Sequence, residues 1–210
     1  KRIYNEQEVL KCKRAVNQNN YYSNRFTTKE SFTKALVTVI SNEVNINEIT
    51  LLENCINLIM FLGIKKVIIN TFYLRNEIEN FLATKNFYLD IKVINDGKAI
   101  LNTGGGILNM MKSSTETNFI TFNPDTVWNK NYAKHIKDME KLYFSNQIKN
   151  VLLLVKRDLS FDKNLKGDFN LIENKIKKEN KNNLINTSLQ IINRDIIKFY
   201  SINNFSISEI

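Results

Sequence analysis

A three-layer α/β sandwich with a mostly parallel central sheet is predicted by three observations. Short β-branched or apolar runs alternate with helical patterns across 35–155. Three consecutive glycines, Gly104, Gly105 and Gly106, precede a helical pattern. An apolar run at 119–122 ends three residues before a carboxylate, Asp125. A carboxylate just past the carboxyl end of a strand lies where open α/β sheets place their ligands.

The elements follow in order. Residues 35–40, Ala-Leu-Val-Thr-Val-Ile, read as a short strand. The stretch 51–62 is apolar at i, i+3 and i+4 and nearly apolar all round, which predicts a buried helix. Gly63 follows in the position that favours glycine after a helix. A β-branched strand is expected at 66–70. An amphipathic helix is expected at 74–82, with Ile78, Phe81 and Leu82 inward. Further strands are read at 88–94, 118–122 and 151–155, and helices at 104–112 and 130–142. After Arg157 the pattern changes: strands at 169–172 and 184–192 flank a polar loop or hairpin at 173–183, and 195–200 starts a last helix.

The chain has 210 residues, enough for one domain with a real core, and 43% of them are apolar. No run reaches the roughly 20 apolar residues that cross a bilayer. The charged start, Lys1 to Asn20, has no secretory pattern. The net charge is +9, but lysines are scattered apart from 175–181 and no aromatic-interleaved basic patch appears. Dispersed charge is a weak nucleic-acid footprint. It suits a phosphorylated small substrate as well.

Two cysteines, Cys12 and Cys55, form neither a disulfide framework nor a zinc set, which points to a reducing cytoplasm. Cys55 falls in an apolar helical pattern and reads as a core thiol. The single His135 lies in a charged helical stretch and reads as a surface residue.

The glycine cluster can be tested against known phosphate motifs. A dinucleotide fingerprint would need glycine at 104, 106 and 109, and 109 is Asn. A P-loop would need glycine before Lys112-Ser113, where Met111 stands. A glycine loop opening a helix remains, with N–H groups free to face an anion across an open cleft. With Asp125 it suggests a nucleotide on the loop and a divalent metal on the carboxylate. The plain alternatives are a turn cluster for the glycines and a helix cap for Asp125.

With these residues placed, the chain resembles the sugar-1-phosphate nucleotidyltransferases, a family with a Rossmann-like, nucleotide-diphospho-sugar transferase fold. The likeness runs from Lys34-Ala35-Leu36-Val37, through 63–70 and Tyr73-Leu74, to Thr103-Gly104-Gly105-Gly106 and Asn123-Pro124-Asp125-Thr126-Val127-Trp128. It is nearest to the N-acetylmuramate-1-phosphate uridylyltransferases and the mannose-1-phosphate guanylyltransferase-like proteins. The resemblance implies transfer of a nucleoside monophosphate from UTP or GTP to a sugar 1-phosphate, with release of pyrophosphate. It implies Asp125 as a magnesium ligand, Thr103 and Gly104 to Gly106 lining base and ribose, and Lys34 on a phosphate. Membranes and nucleic acids are not among the implied partners.

The chain departs from the family pattern at several points. Residues 1–33 contain no glycine, whereas the family opens on a glycine loop that cradles the triphosphate. Pro124 stands where a small residue is usual, and Ser188 where a glycine near the sugar is frequent. The family's second metal carboxylate falls beyond Ile210. The expectation is one nucleotidyltransferase-like domain over 1–210, atypical at 1–33 and incomplete at its C-terminus. Its turnover would be low, or it would serve as a non-catalytic nucleotide- or sugar-phosphate-binding module.

Overall fold

The computed structural model describes residues 46–73, 75–97, 99–124, 126–160, 164–173 and 175–209. The strand expected at 35–40, and the residues Cys12, Lys34 and Asp125, lie outside the described residues.

The order is α1 (Ile46–Phe61), β1 (Lys66–Thr71), α2 (Arg75–Thr84), β2 (Asp90–Asn95), α3 (Asn102–Lys112), β3 (Asn118–Thr121), α4 (Tyr132–Ser145), β4 (Asn150–Lys156), β5 (Asn170–Ile172), β6 (Lys175–Lys177) and β7 (Leu184–Asn193). Gly63 turns the chain out of α1 at φ +78°, in the left-handed region that suits glycine. β1 and β2 pair in parallel, Lys66 opposite Asp90 through Thr71 opposite Asn95. A parallel pair needs a crossover, and α2 supplies it.

The second half is antiparallel. β7 lies between β3 and β4 and runs antiparallel to both, while β5 and β6 form a separate hairpin. The described strands thus form a mixed α/β structure of three small sheets. The apolar run of β4 reads as a parallel-sheet strand, yet it pairs antiparallel with β7; an apolar run does not depend on the direction of its neighbour.

The core is divided by the sheet. On one face Cys55, Leu58 and Ile59 of α1 pack with Ile136, Met139 and Tyr143 of α4 and with Leu189 and Ile191 of β7. On the other, Ile107, Leu108 and Met111 of α3 pack with Ile192 and Ile197. Alternation along β7 sends odd-numbered residues to the first face and Ile192 to the second. A third cluster joins Leu52 and Ile56 of α1 to Phe81 of α2, with Ile78 and Leu82 beside it as the pattern predicts.

Several boundaries differ from expectation. β2 starts at Asp90, and Tyr88 is 79% exposed. The polar stretch 173–183, expected as a loop or hairpin, carries strand β6, which pairs antiparallel with β5 as a hairpin does. No helix forms over 195–200: a short 3-10 turn occupies Arg194–Ile196, where the Asn193 side chain accepts from the Asp195 N–H (2.8 Å). Ile197 is fully buried and pulls the chain back onto α3. His135 is half-buried, and its Nε2 is shielded without a partner.

Candidate functional site

Among the described residues, an open cavity of about 960 Å³ lies between β1 and β3 and runs the length of both. Its walls are apolar: Leu52, Ile56 and Ile59 of α1 on one side, Ile107, Met110 and Met111 of α3 on the other. Its two ends differ in chemistry. Charged side chains, among them Lys66, Asp90, Lys92 and Glu116, gather where β1 and β2 begin. Lys66 pairs there with Glu116 at 3.3 Å, and Lys92 donates to the Ser113 carbonyl at 3.2 Å. Neutral hydrogen-bonding side chains gather at the opposite end: Asn70 as β1 finishes, Asn102 and Thr103 as α3 starts, Asn123 after β3, and Asn186 and Ser188 in β7. The carboxyl-end position is the one that open α/β sheets give their ligands.

Two of these residues hold unusual backbone. Asn102 has φ 58° and Ser188 has φ 62°. Asn tolerates the left-handed region, helped by a short side chain that bonds locally, and here Asn102 Oδ1 accepts from the Thr103 N–H at 2.7 Å. Serine has less excuse. Asn186 Oδ1 accepts from the Ser188 N–H at 3.0 Å, and the β4–β7 register shifts between Leu152 and Leu154, opposite this stretch. A glycine would enter this conformation at no steric cost.

The glycine cluster behaves otherwise than expected. Gly104, Gly105 and Gly106 lie within the first turns of α3 rather than in a loop before it, and all three are buried. The Gly104 and Gly105 N–H groups donate to the Phe205 carbonyl, at 2.9 and 3.4 Å, instead of facing an open cleft. A side chain at Gly104 would strike the Phe205 ring, and one at Gly105 the Asn203 carbonyl oxygen. Here glycine allows the segment 203–207 to lie against the helix start. Thr103 is placed differently: it lines the cavity, and its Oγ1 accepts from the Ile207 N–H at 3.1 Å.

Gly106 belongs to another contact. A Cβ on it would come within 2.8 Å of Asn70 Nδ2. That amide donates to Asp96 Oδ2 at 2.7 Å, while Asn109 Nδ2 donates to Asp96 Oδ1 at 3.0 Å. Asp96 is 8% exposed. Burial raises its carboxyl pKa, and the bonds from Asn109 and Asn70 pull it partly back. In the sequence nothing but its place just after a strand, ahead of the glycines, distinguishes Asp96.

The described residues on either side of position 125 are anchored to one another. Trp128, 1% exposed, donates its indole N–H to the Asn123 carbonyl at 2.7 Å, and Thr126 N–H donates to the same oxygen at 3.3 Å. Asn123 and Pro124 line the cavity, so the chain leaves β3 directly at its polar end. Among the described residues no group of three or more His, Cys, Asp or Glu side chains is arranged to hold a metal. The described donors at this end are neutral amides and hydroxyls, and they do not by themselves fit a magnesium site. No described helix is long and apolar enough to cross a membrane.

One parallel strand pair with its crossover helix, beside a three-stranded antiparallel sheet, defines the fold class: the described residues have the fold of the nucleotide-diphospho-sugar transferases. The resemblance read from the sequence is borne out at this level. HddC from Yersinia pseudotuberculosis, solved in complex with GMP-PN, is similar with a TM-score of 0.56 and 21% identity, over 83% of this chain and 73% of that one. A UDP-glucose pyrophosphorylase solved with UDP-glucose gives a TM-score of 0.59 and 15% identity, over 76% of this chain and 72% of that one. In sequence, 94 residues are 32% identical to the holo-[acyl-carrier-protein] synthase of Pelagibacter ubique (strain HTCC1062), 43% of this chain and 67% of that protein. No family model matches the chain. By that 94-residue stretch the chain belongs with the holo-[acyl-carrier-protein] synthases, while its fold is like that of HddC and of the UDP-glucose pyrophosphorylase.

Proposed function

We propose that this protein is a sugar-1-phosphate nucleotidyltransferase, moving a nucleoside monophosphate from UTP or GTP to a sugar 1-phosphate with release of pyrophosphate. The observation that carries this reading is the cavity whose polar end gathers Asn70, Asn102, Thr103, Asn123 and Ser188 at the carboxyl ends of β1 and β3. The fold neighbours were solved with GMP-PN and with UDP-glucose, ligands of the proposed chemical class. Asn102 and Thr103 are the residues at the start of α3 that line the cavity. In this reading the base and ribose lie against that start, with Gly104 to Gly106 behind it letting the backbone pack closely. The two larger sheets would be parts of one mostly parallel central sheet, in a single domain.

The chemistry asked of the chain is positioning and charge neutralisation on phosphates, rather than an acid–base pair. Neutral amides and hydroxyls can orient sugar and base by hydrogen bonds. Lys34 is assigned to a phosphate, and Asp125 to magnesium with phosphate oxygens and waters, the sparse protein coordination that this ion accepts. These two roles rest on the family resemblance. The glycine-free segment 1–33 supports low turnover, or binding without turnover, as the alternative.

The test is pyrophosphate release from UTP and GTP with a panel of sugar 1-phosphates, with and without magnesium, alongside nucleotide titration. Binding with magnesium-dependent turnover, abolished in Asp125→Asn with the fold intact, is expected. Binding without turnover would select the binding-module alternative. A protein that binds neither nucleotide nor sugar phosphate would refute both.

A second reading has its own observation in the 32% identity to a holo-[acyl-carrier-protein] synthase. Conversion of an apo acyl-carrier protein to its holo form by this chain would support it. No conversion, with nucleotide turnover present, would leave the first reading standing.

A further inference from the structure

Asp96 is a buried carboxylate with no cation paired to it among the described residues. Its own N–H donates to the Thr71 carbonyl at 2.9 Å, and its two oxygens each take an asparagine amide, from Asn70 and Asn109. No described residue forms a salt bridge with it. Burying such a group is costly unless it is hydrogen-bonded, and here two asparagine amides supply the bonds.

They fix the orientation of two amides. An asparagine side chain can ordinarily flip, exchanging its oxygen and nitrogen, because the two ends are nearly the same shape. An ionised carboxylate only accepts, so each neighbouring asparagine must turn its NH₂ toward Asp96. For Asn109 the outcome is structural: its Nδ2 also reaches the Asn95 carbonyl at 3.2 Å and ties α3 to the end of β2. For Asn70 it differs. Nδ2 is committed to Asp96, whereas Oδ1 makes no hydrogen bond to any described residue, and Asn70 lines the cavity. Gly106 leaves the space in which this arrangement fits.

We propose that Asn70 reads the ligand, its Oδ1 accepting a hydrogen bond from a hydroxyl of the bound ribose or sugar phosphate, and that Asp96 is the positioning residue that presets this acceptor. The inference rests on the nucleotidyltransferase reading and adds to it the residue that recognises a hydroxyl. A preset acceptor binds without first paying to order its own side chain. Both hydroxyl sources bring the same donor, so the ligands in the test separate them.

The experiment uses the full chain and three variants: Asn70→Ala, Asp96→Asn and the double variant. Asn70→Ser stands in should Asn70→Ala not fold by circular dichroism. Calorimetric titrations use UTP, GTP, their 2′-deoxy counterparts and glucose 1-phosphate. Loss of one hydrogen bond predicts about tenfold weaker binding for Asn70→Ala. If the 2′-hydroxyl is the donor, the loss is confined to the ribonucleotides; if the sugar phosphate supplies it, glucose 1-phosphate binding falls instead. Asp96→Asn should weaken the same ligand by about two- to fivefold through a freely flipping amide. The double variant should be no weaker than Asn70→Ala alone, because the two residues act as a unit.

An independent readout needs no ligand. The side-chain NH₂ of Asn70 should give slowly exchanging amide resonances in the native chain and lose that protection in Asp96→Asn. Rapid exchange in the native chain would overturn the positioning role of Asp96. Unchanged affinity in Asn70→Ala for every ligand the native chain binds would overturn the hydroxyl contact while leaving the nucleotidyltransferase reading intact. A native chain that binds none of the ligands would overturn both.

Discussion

Replacing Gly105 with alanine tests whether the glycine cluster serves packing or a ligand. An added Cβ would fall inside contact distance of the Asn203 carbonyl oxygen, 3.2 Å from the Asn203 carbonyl carbon and 3.0 Å from Leu101 Cβ. The obstacle is backbone, which cannot rotate away, so the segment 203–207 must lift off α3. Overpacking of this kind costs about 1–3 kcal/mol, and a backbone obstacle belongs at the upper end. Lifting the segment also weakens the bonds from the Gly104 and Gly105 N–H groups to the Phe205 carbonyl, about 1 kcal/mol. Alanine returns about 1 kcal/mol through its better helix propensity. The net expectation is a loss of about 3 kcal/mol, or a drop of about 6–12 °C in melting temperature for a chain of this size. Urea unfolding followed by circular dichroism measures it. Gly63→Ala provides the contrast: nothing lies within 4 Å of its added Cβ, and only the φ of +78° resists, at about 1 kcal/mol. A Gly105→Ala variant as stable as the native chain would refute the packing account and return these glycines to the cleft.

Three further outcomes are expected. Ser188→Gly should stabilise the fold by about 0.5–1 kcal/mol in urea, because the left-handed φ of 62° is strained for serine and the hydrogen bond to Asn186 Oδ1 uses backbone that glycine retains. Trp128→Phe removes the indole donor from the Asn123 carbonyl and should cost about 1–3 kcal/mol in the same assay; no change would show that the turn after β3 is held by other means. Asp96 has a folded pKa raised above its ordinary 3.8, so the folded state holds the proton more tightly than the unfolded state. Its stabilising share is therefore complete below that value and is lost as the pH rises through the raised pKa, so stability-against-pH curves for the native chain and Asp96→Asn should converge toward acid and diverge over that window. Parallel curves would refute the burial of this carboxylate.

The sequence by itself determined the elements that are written in local periodicity. The stretch 51–62 could only bury itself as a helix, Gly63 could only end it cheaply, and the β-branched run at 66–70 could only extend; the structure has α1, the positive-φ turn and β1 there. Ser188 was legible too, as a serine in a place where glycine is frequent, and its backbone is left-handed. Strand direction was not legible, because an apolar strand reads alike in either orientation, and β7 returns antiparallel between β3 and β4. The role of the glycines was decided by tertiary structure alone. Three residues without side chains permit a ligand or a neighbouring chain to approach equally well, and it is the carbonyls of Asn203 and Phe205, about a hundred positions away in sequence, that do so. Asp96 carries the same lesson in polar form: one carboxylate among 21 acidic residues, distinguished only when folding brings Asn70 and Asn109 to its two oxygens and excludes water from it.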